Sequence, residues 1–138
     1  MGAARRWPAV TIATASLAEL VAQAFGGGGA LAQADPLYAE RAVQQEFAQA
    51  VAAALDDRSA LVAEAGTGVG KTFAYLVPLL LSGRRALVST ATKSLQDQLF
   101  LRDLPRLIDA LGVPVQVALL KGRSSYLCLH RLQQARRG

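Results

Sequence analysis

Apolar residues fall on two different periods along this chain. Ile12, Leu17, Leu20, Val21 and Phe25 share the spacing of one helix side, so a first helical segment is predicted up to about residue 25. The same period returns from about residue 39 to 55, where Val43, Phe47, Ala50, Val51, Ala54 and Leu55 form a stripe. Short apolar runs at 60–63, 86–89 and 115–120 break that rhythm and have the length of buried strands. Breakers separate these pieces: a glycine run at 26–29 read as a flexible break, Asp35-Pro36, and Asp56-Asp57-Arg58-Ser59 ahead of the first strand. A helix is expected from Lys71 to about Leu81, with Pro78 kinking its third turn or ending it early and Gly83 stopping it. Thr90, Thr92 and Ser94 offer caps for a helix over 95–101, and Pro105 restarts a short one ending near Gly112. The last segment, 126–136, alternates Leu127, Leu129 and Leu132 with polar residues and reads as a helix. Strands separated by helices predict an α/β fold with a parallel sheet and right-handed crossovers.

Composition narrows the picture. The 138 residues suffice for one compact domain, and 52% hydrophobic with 18% charged residues describes a globular chain. The net charge of +5 is unevenly placed: no Asp or Glu follows Asp109, whereas Lys121, Arg123, Arg131, Arg136 and Arg137 do. Such a basic end suits a phosphate backbone, and a solvated helix end looks the same. One cysteine, Cys128, forms no internal disulfide and points to a reducing, cytoplasmic compartment. No apolar run reaches the length of a membrane span. Arg5-Arg6, an apolar stretch at 9–17 and Ala32-Gln33-Ala34 outline a targeting peptide. Glu19 and Gln23 intrude on that outline, and an amphipathic helix fits better.

The chemistry concentrates in Ala65-Gly66-Thr67-Gly68-Val69-Gly70-Lys71-Thr72, placed between a predicted strand and a predicted helix. Glycines at 66, 68 and 70 permit positive φ, which turns successive N–H groups inward to hold an anion. The helix start adds its positive dipole end. Lys71 would reach the β- and γ-phosphates of ATP, and the Thr72 hydroxyl would ligate Mg²⁺. The loop backbone, from Ala65 through Val69 to Thr72, would cradle the nucleotide. The strict pattern opens with Gly, where Ala65 stands.

Several stretches resemble the DinG/YoaA-type iron–sulfur helicases, bacterial relatives of XPD within helicase superfamily 2. They are Arg41-Ala42-Val43-Gln44-Gln45-Glu46-Phe47, the loop with its preceding Glu64, Leu87-Val88-Ser89-Thr90-Ala91-Thr92-Lys93-Ser94-Leu95-Gln96-Asp97-Gln98-Leu99, and Ala118-Leu119-Leu120-Lys121-Gly122-Arg123-Ser124-Ser125-Tyr126-Leu127-Cys128-Leu129. The last two are the specific ones, since many ATPases share the phosphate loop. The resemblance makes Ala65 expected and implies a RecA-like first motor domain, present here in part. Arg41 and Gln44 would fall at the adenine-reading motif, where a carboxamide can pair with the adenine edge. Thr90, Thr92, Lys93 and Gln96 would grip single-stranded or forked DNA, with helix capping by Thr92 or Ser94 as a compatible role. Lys121 and Arg123 would contact the DNA backbone or support a cluster domain, though a solvated turn fits them equally. Cys128 aligns with the first of four ligands of a [4Fe–4S] cluster; the cluster needs four thiolates and this chain has one, so ligation is expected in a full-length parent alone.

Residues 1–35 are therefore expected to be a helical and flexible N-terminal segment. Residues 36–138 are expected to be the N-terminal part of a helicase ATP-binding domain, ending where the iron–sulfur region would begin. ATP hydrolysis in this class needs an Asp for Mg²⁺ and a Glu for water. After the loop the acids are Asp97, Asp103 and Asp109, none ending an apolar strand. The expected function is the ATP-binding portion of a monomeric 5′–3′ DNA-repair helicase, inactive by itself. Alternatives are a non-catalytic nucleotide- or DNA-binding fragment and a small stand-alone P-loop NTPase or kinase.

Overall fold

A computed structural model describes residues 15–137. Arg5-Arg6, Ile12 and the rest of the apolar stretch up to residue 14 lie outside the described residues. Seven α-helices occur among the described residues: α1 (Leu17–Phe25), α2 (Ala30–Ala34), α3 (Ala42–Asp57), α4 (Lys71–Leu81), α5 (Lys93–Gln98), α6 (Leu104–Leu111) and α7 (Leu129–Ala135). A π-helical turn, Leu99–Asp103, joins α5 to α6, and a 3₁₀ turn, Arg123–Ser125, precedes α7. No described helix is long and apolar enough to cross a membrane.

The core is helix on helix. α1 starts from a capping box in which the Ser16 hydroxyl accepts from Glu19 N at 3.2 Å and Ser16 N donates to the Glu19 carboxylate at 2.7 Å. It buries Leu17, Val21, Ala24 and Phe25 against α3 and α4. The glycine run at 26–29 closes a turn, with Gly29 N bonded to Gly26 O at 2.8 Å, and sends the chain into α2. The buried stripe of α3 is Gln44, Ala48 and Ala52, and the two alanines are small enough to let neighbouring backbones approach. Val43, expected in the apolar stripe, is exposed, while Phe47, Val51 and Leu55 are half-buried on an adjoining side.

α4 runs through Pro78 to Leu81, so the proline neither ends it early nor leaves the core; its ring is fully buried. Pro105 has a different effect from the expected restart. It cannot donate to the carbonyl four residues earlier, and the backbone opens upstream, with Leu104 N reaching back five residues to Leu99 O. The predicted pair of helices is thereby one continuous helical run from Lys93 to Leu111. The final helix is shorter than expected, because residues 126–128 precede its first turn.

The parallel sheet expected from the sequence does not form among the described residues. Segments 60–63, 86–89 and 115–120 carry no backbone ladder, although they lie beside the helices that a sheet would carry. Leu61 and Ala63 line a groove with Phe47, Val51 and Leu55 of α3. Residues 84–88 and 114–120 line a cleft of ≈ 670 Å³ with Leu76, Leu79 and Leu80 of α4. A strand is stable only where neighbours take its N–H and C=O groups. Without such pairing, apolar side chains suited to a doubly covered sheet stay wet: Val62 is 99%, Leu87 91% and Leu120 79% exposed.

Candidate nucleotide site and the surface beside it

The loop ahead of α4 takes the conformation its glycines were expected to allow, at two of the three positions. Gly68 has φ 81° and Gly70 φ 83°, while Gly66 is not in the left-handed region. Gly70 is the N-cap of α4, so Lys71 and Thr72 open the helix as predicted. The Lys71 ammonium folds back over the loop, donating to Ala65 O at 2.6 Å and Gly66 O at 2.9 Å. Thr67 and Gly68 form the exposed tip, and Val69 is half-buried beneath it. Backbone amides at a helix start beside an ammonium are the groups from which an anion seat is built.

α3 grips this loop from the side. Gln44 is buried, and its amide donates to Gly70 O at 3.0 Å. The Arg41 guanidinium donates to Gly68 O. A Cβ placed on Gly70 would come within 2.2 Å of Gln44 Nε2, so a larger residue would push that amide away, and the positive φ favours glycine there. Both residues expected at an adenine-reading motif are thus in contact with the phosphate loop itself. α3 is held in turn by Gln45, which donates to Phe25 O at 3.2 Å, and by Gln49, which donates to Ala18 O at 2.9 Å. Tyr38 adds a second bond to Phe25 O, at 2.7 Å.

Tyr75, one turn beyond Thr72, carries no expectation from the sequence. Burial raises its pKa above the ordinary tyrosine value and the Asp103 carboxylate raises it further; the Thr72 hydroxyl, within side-chain reach, works the other way. Asp103 is itself buried on the π-turn, where Gln98 Nε2 donates to one oxygen at 2.9 Å and Arg102 Nε to the other at 2.8 Å. The i, i+3 relation of Thr72 and Tyr75 was the available signal.

The remaining candidates cluster around α5. Thr92 caps it by accepting from Leu95 N at 3.2 Å, and the Thr90 hydroxyl donates to Thr92 O at 3.3 Å. Lys93 is exposed. Gln96 Nε2 donates to Leu120 O at 2.9 Å, and Lys121 Nζ pairs with Asp97 at 2.8 Å. Arg123 is exposed on the 3₁₀ turn. The structure therefore brings the 90–96 group and Lys121 together but occupies Gln96 and Lys121 with protein partners. Cys128 is exposed at the start of α7, and no group of three or more His, Cys, Asp and Glu residues is assembled among the described residues. One thiol does not fit a four-thiolate cluster, so these residues do not hold one unaided.

Comparison with known proteins agrees with this geometry. Residues 41–136 match the DEAD/DEAH box helicase family, a span that runs from Arg41 through the loop to α7. The chain is 52% identical over 114 residues to the ATP-dependent DNA helicase YoaA of Haemophilus influenzae, covering 83% of this chain and 18% of that protein. It is 47% identical over 100 residues to the ATP-dependent helicase DinG of Mycobacterium tuberculosis, covering 67% and 15%. It is 37% identical over 113 residues to the 3′-5′ exonuclease DinG of Bacillus subtilis, covering 79% and 12%. No solved structure matches the chain significantly. The chain thus spans under a fifth of the length of these relatives. A glycine loop seated on α4, gripped from α3 and matched across the full breadth of these elements, carries a P-loop NTPase fold, and the chain belongs to the DEAD/DEAH box helicase family.

Proposed function

We propose that this chain is the nucleotide-binding opening of the first motor domain of an ATP-dependent DNA helicase. The observation that carries it is the Lys71 ammonium poised on Ala65 O and Gly66 O, over a loop that Arg41 and Gln44 hold from α3. The amides of residues 66–70 receive the phosphates, Lys71 moves from the loop carbonyls onto the β- and γ-oxygens, and Gln44 and Arg41 sense the bound nucleotide through Gly70 and Gly68. Mg²⁺ held by Thr72 would neutralise phosphate charge. Adenine recognition by Gln44 uses whatever capacity its amide retains beyond the Gly70 bond.

Thr90, Thr92, Lys93, Gln96, Lys121 and Arg123 form the surface for single-stranded or forked DNA. Positions and hydroxyls of this kind hold phosphates without reading sequence. Segments 60–63, 86–89 and 115–120 pair as parallel strands when neighbouring strands cover them, and their places beside α3 and α4 support that reading. The parent enzyme travels 5′ to 3′ in DNA repair, with Cys128 as one of four cluster ligands, as family resemblance supports; the single cysteine supports a cytoplasmic setting, and the enzyme acts as a monomer.

Hydrolysis needs acids that these residues do not offer. Of the three acids after the loop, Asp97 is engaged by Lys121, Asp103 is enclosed by Gln98 and Arg102, and Asp109 lies within α6 rather than at the end of an apolar strand. The 138-residue chain should therefore bind a fluorescent ATP analogue in a Lys71-dependent way and release no phosphate. Titration of wild type and Lys71→Ala, with a phosphate-release assay alongside, tests both halves. Equal binding by the two proteins, or turnover that Lys71→Ala abolishes, would contradict the proposal.

A further inference from the structure

Asp97 and Lys121 lie within the surface assigned to DNA, and they already bind each other. Their 2.8 Å contact is partly solvated, with the two side chains 44% and 29% exposed. One residue earlier, Gln96 holds Leu120 O, so consecutive residues of α5 hold consecutive residues at the end of the third apolar segment. Lys121 N also donates to the Tyr126 phenol oxygen at 3.0 Å. The lysine backbone is therefore fixed independently of its ammonium.

A carboxylate and a phosphodiester offer an ammonium the same thing, anionic oxygens at hydrogen-bonding distance. We infer that Asp97 occupies Lys121 in place of a DNA phosphate, and that single-stranded DNA displaces it when the strand binds. This rests on the DNA reading given above and deepens it. A half-exposed ion pair is weak, so exchange is easy for a polyanion that also meets Lys93 and Arg123. An isolated phosphate lacks those added contacts and leaves the pair intact. Because Gln96 keeps its bond to Leu120 O, the ammonium can change partners while the two segments stay joined. Asp97 thereby sets a threshold against weak anions.

The alternative is a strap that only ties α5 to residues 120–121. Fluorescence anisotropy of a labelled oligothymidylate, titrated with the 138-residue chain over a salt series, separates the two. Asp97→Asn should bind about two- to fivefold tighter than wild type. Lys121→Met should bind more weakly, and the slope of log affinity against log salt should flatten by about 0.7. Adding Asp97→Asn to Lys121→Met should give no further gain. Tyr126→Phe, which loosens the same loop without altering charge, should keep the wild-type salt slope. Weaker or unchanged binding by Asp97→Asn overturns the inference, as does a gain that persists in the Lys121→Met background, since that is general repulsion. A Tyr126→Phe that reproduces the Asp97→Asn gain assigns the effect to the strap and overturns it too. Wild type that fails to bind the oligonucleotide at low salt overturns the DNA reading itself, an outcome visible before any variant is made.

Discussion

Gly70 carries two constraints at once, and each acts through a different neighbour. Its φ of 83° aims the loop into α4, and its bare Cα leaves room for the Gln44 amide. Gly70→Ala should cost about 1–3 kcal/mol for the left-handed backbone, with added displacement of Gln44. A thermal melt reads the first effect, and loss of ATP-analogue binding reads the second. Tyr75 gives a pH signature. Its folded pKa is raised, so the neutral phenol is the form the fold prefers. That stabilisation is complete below about pH 10 and is lost as pH climbs through the raised folded value. Tyr75→Phe should flatten part of the alkaline decline in melting temperature. Tyr38, raised by burial and then by Glu40, contributes in the same direction and remains in that variant.

Among the elements, helices with their own caps and buried stripes were legible in the sequence. The Thr92 cap of α5 and the Gly70-Lys71-Thr72 opening of α4 both depend on residues a few positions apart, whereas the equally local Ser16–Glu19 box of α1 carries no expectation from the sequence. The phosphate loop was legible for the same reason. What escaped were relations between distant residues: the Gln44 amide meets a carbonyl 26 positions away, and Asp97 meets Lys121 across 24. The three expected strands went the other way: each apolar run reads as a strand, yet such a run specifies only an extended segment and cannot supply the neighbour that makes it one, and none forms among the described residues. The π-turn at Leu99–Asp103 is a local consequence of Pro105, yet its register decides which leucines enter the core. Leu99 and Leu107 are buried while Leu101 is exposed. Leu107→Ala should therefore cost about 2–5 kcal/mol, and Leu101→Ala less than about 0.5 kcal/mol. Denaturant melts of both variants check the register directly.

On the scale of the whole molecule, a packed helical layer faces an unfinished apolar one. α1, α3 and α4 share a core, whereas Val62, Leu87 and Leu120 meet solvent. Such surface favours dye binding and self-association. The chain should enhance the fluorescence of anilinonaphthalene sulfonate in its folded state, and Leu87→Lys should lower both that signal and the associated fraction in sedimentation velocity. The helical layer has its own order of dependence. The carbonyl of Phe25 receives Tyr38 and Gln45 together, and Gln49 reaches Ala18. α3, carrying Arg41 and Gln44, is consequently moored to α1 as well as to the loop. Removing residues 15–35 would cut that mooring, and the loss would surface far from the cut, as slackness in the bend beneath Lys71.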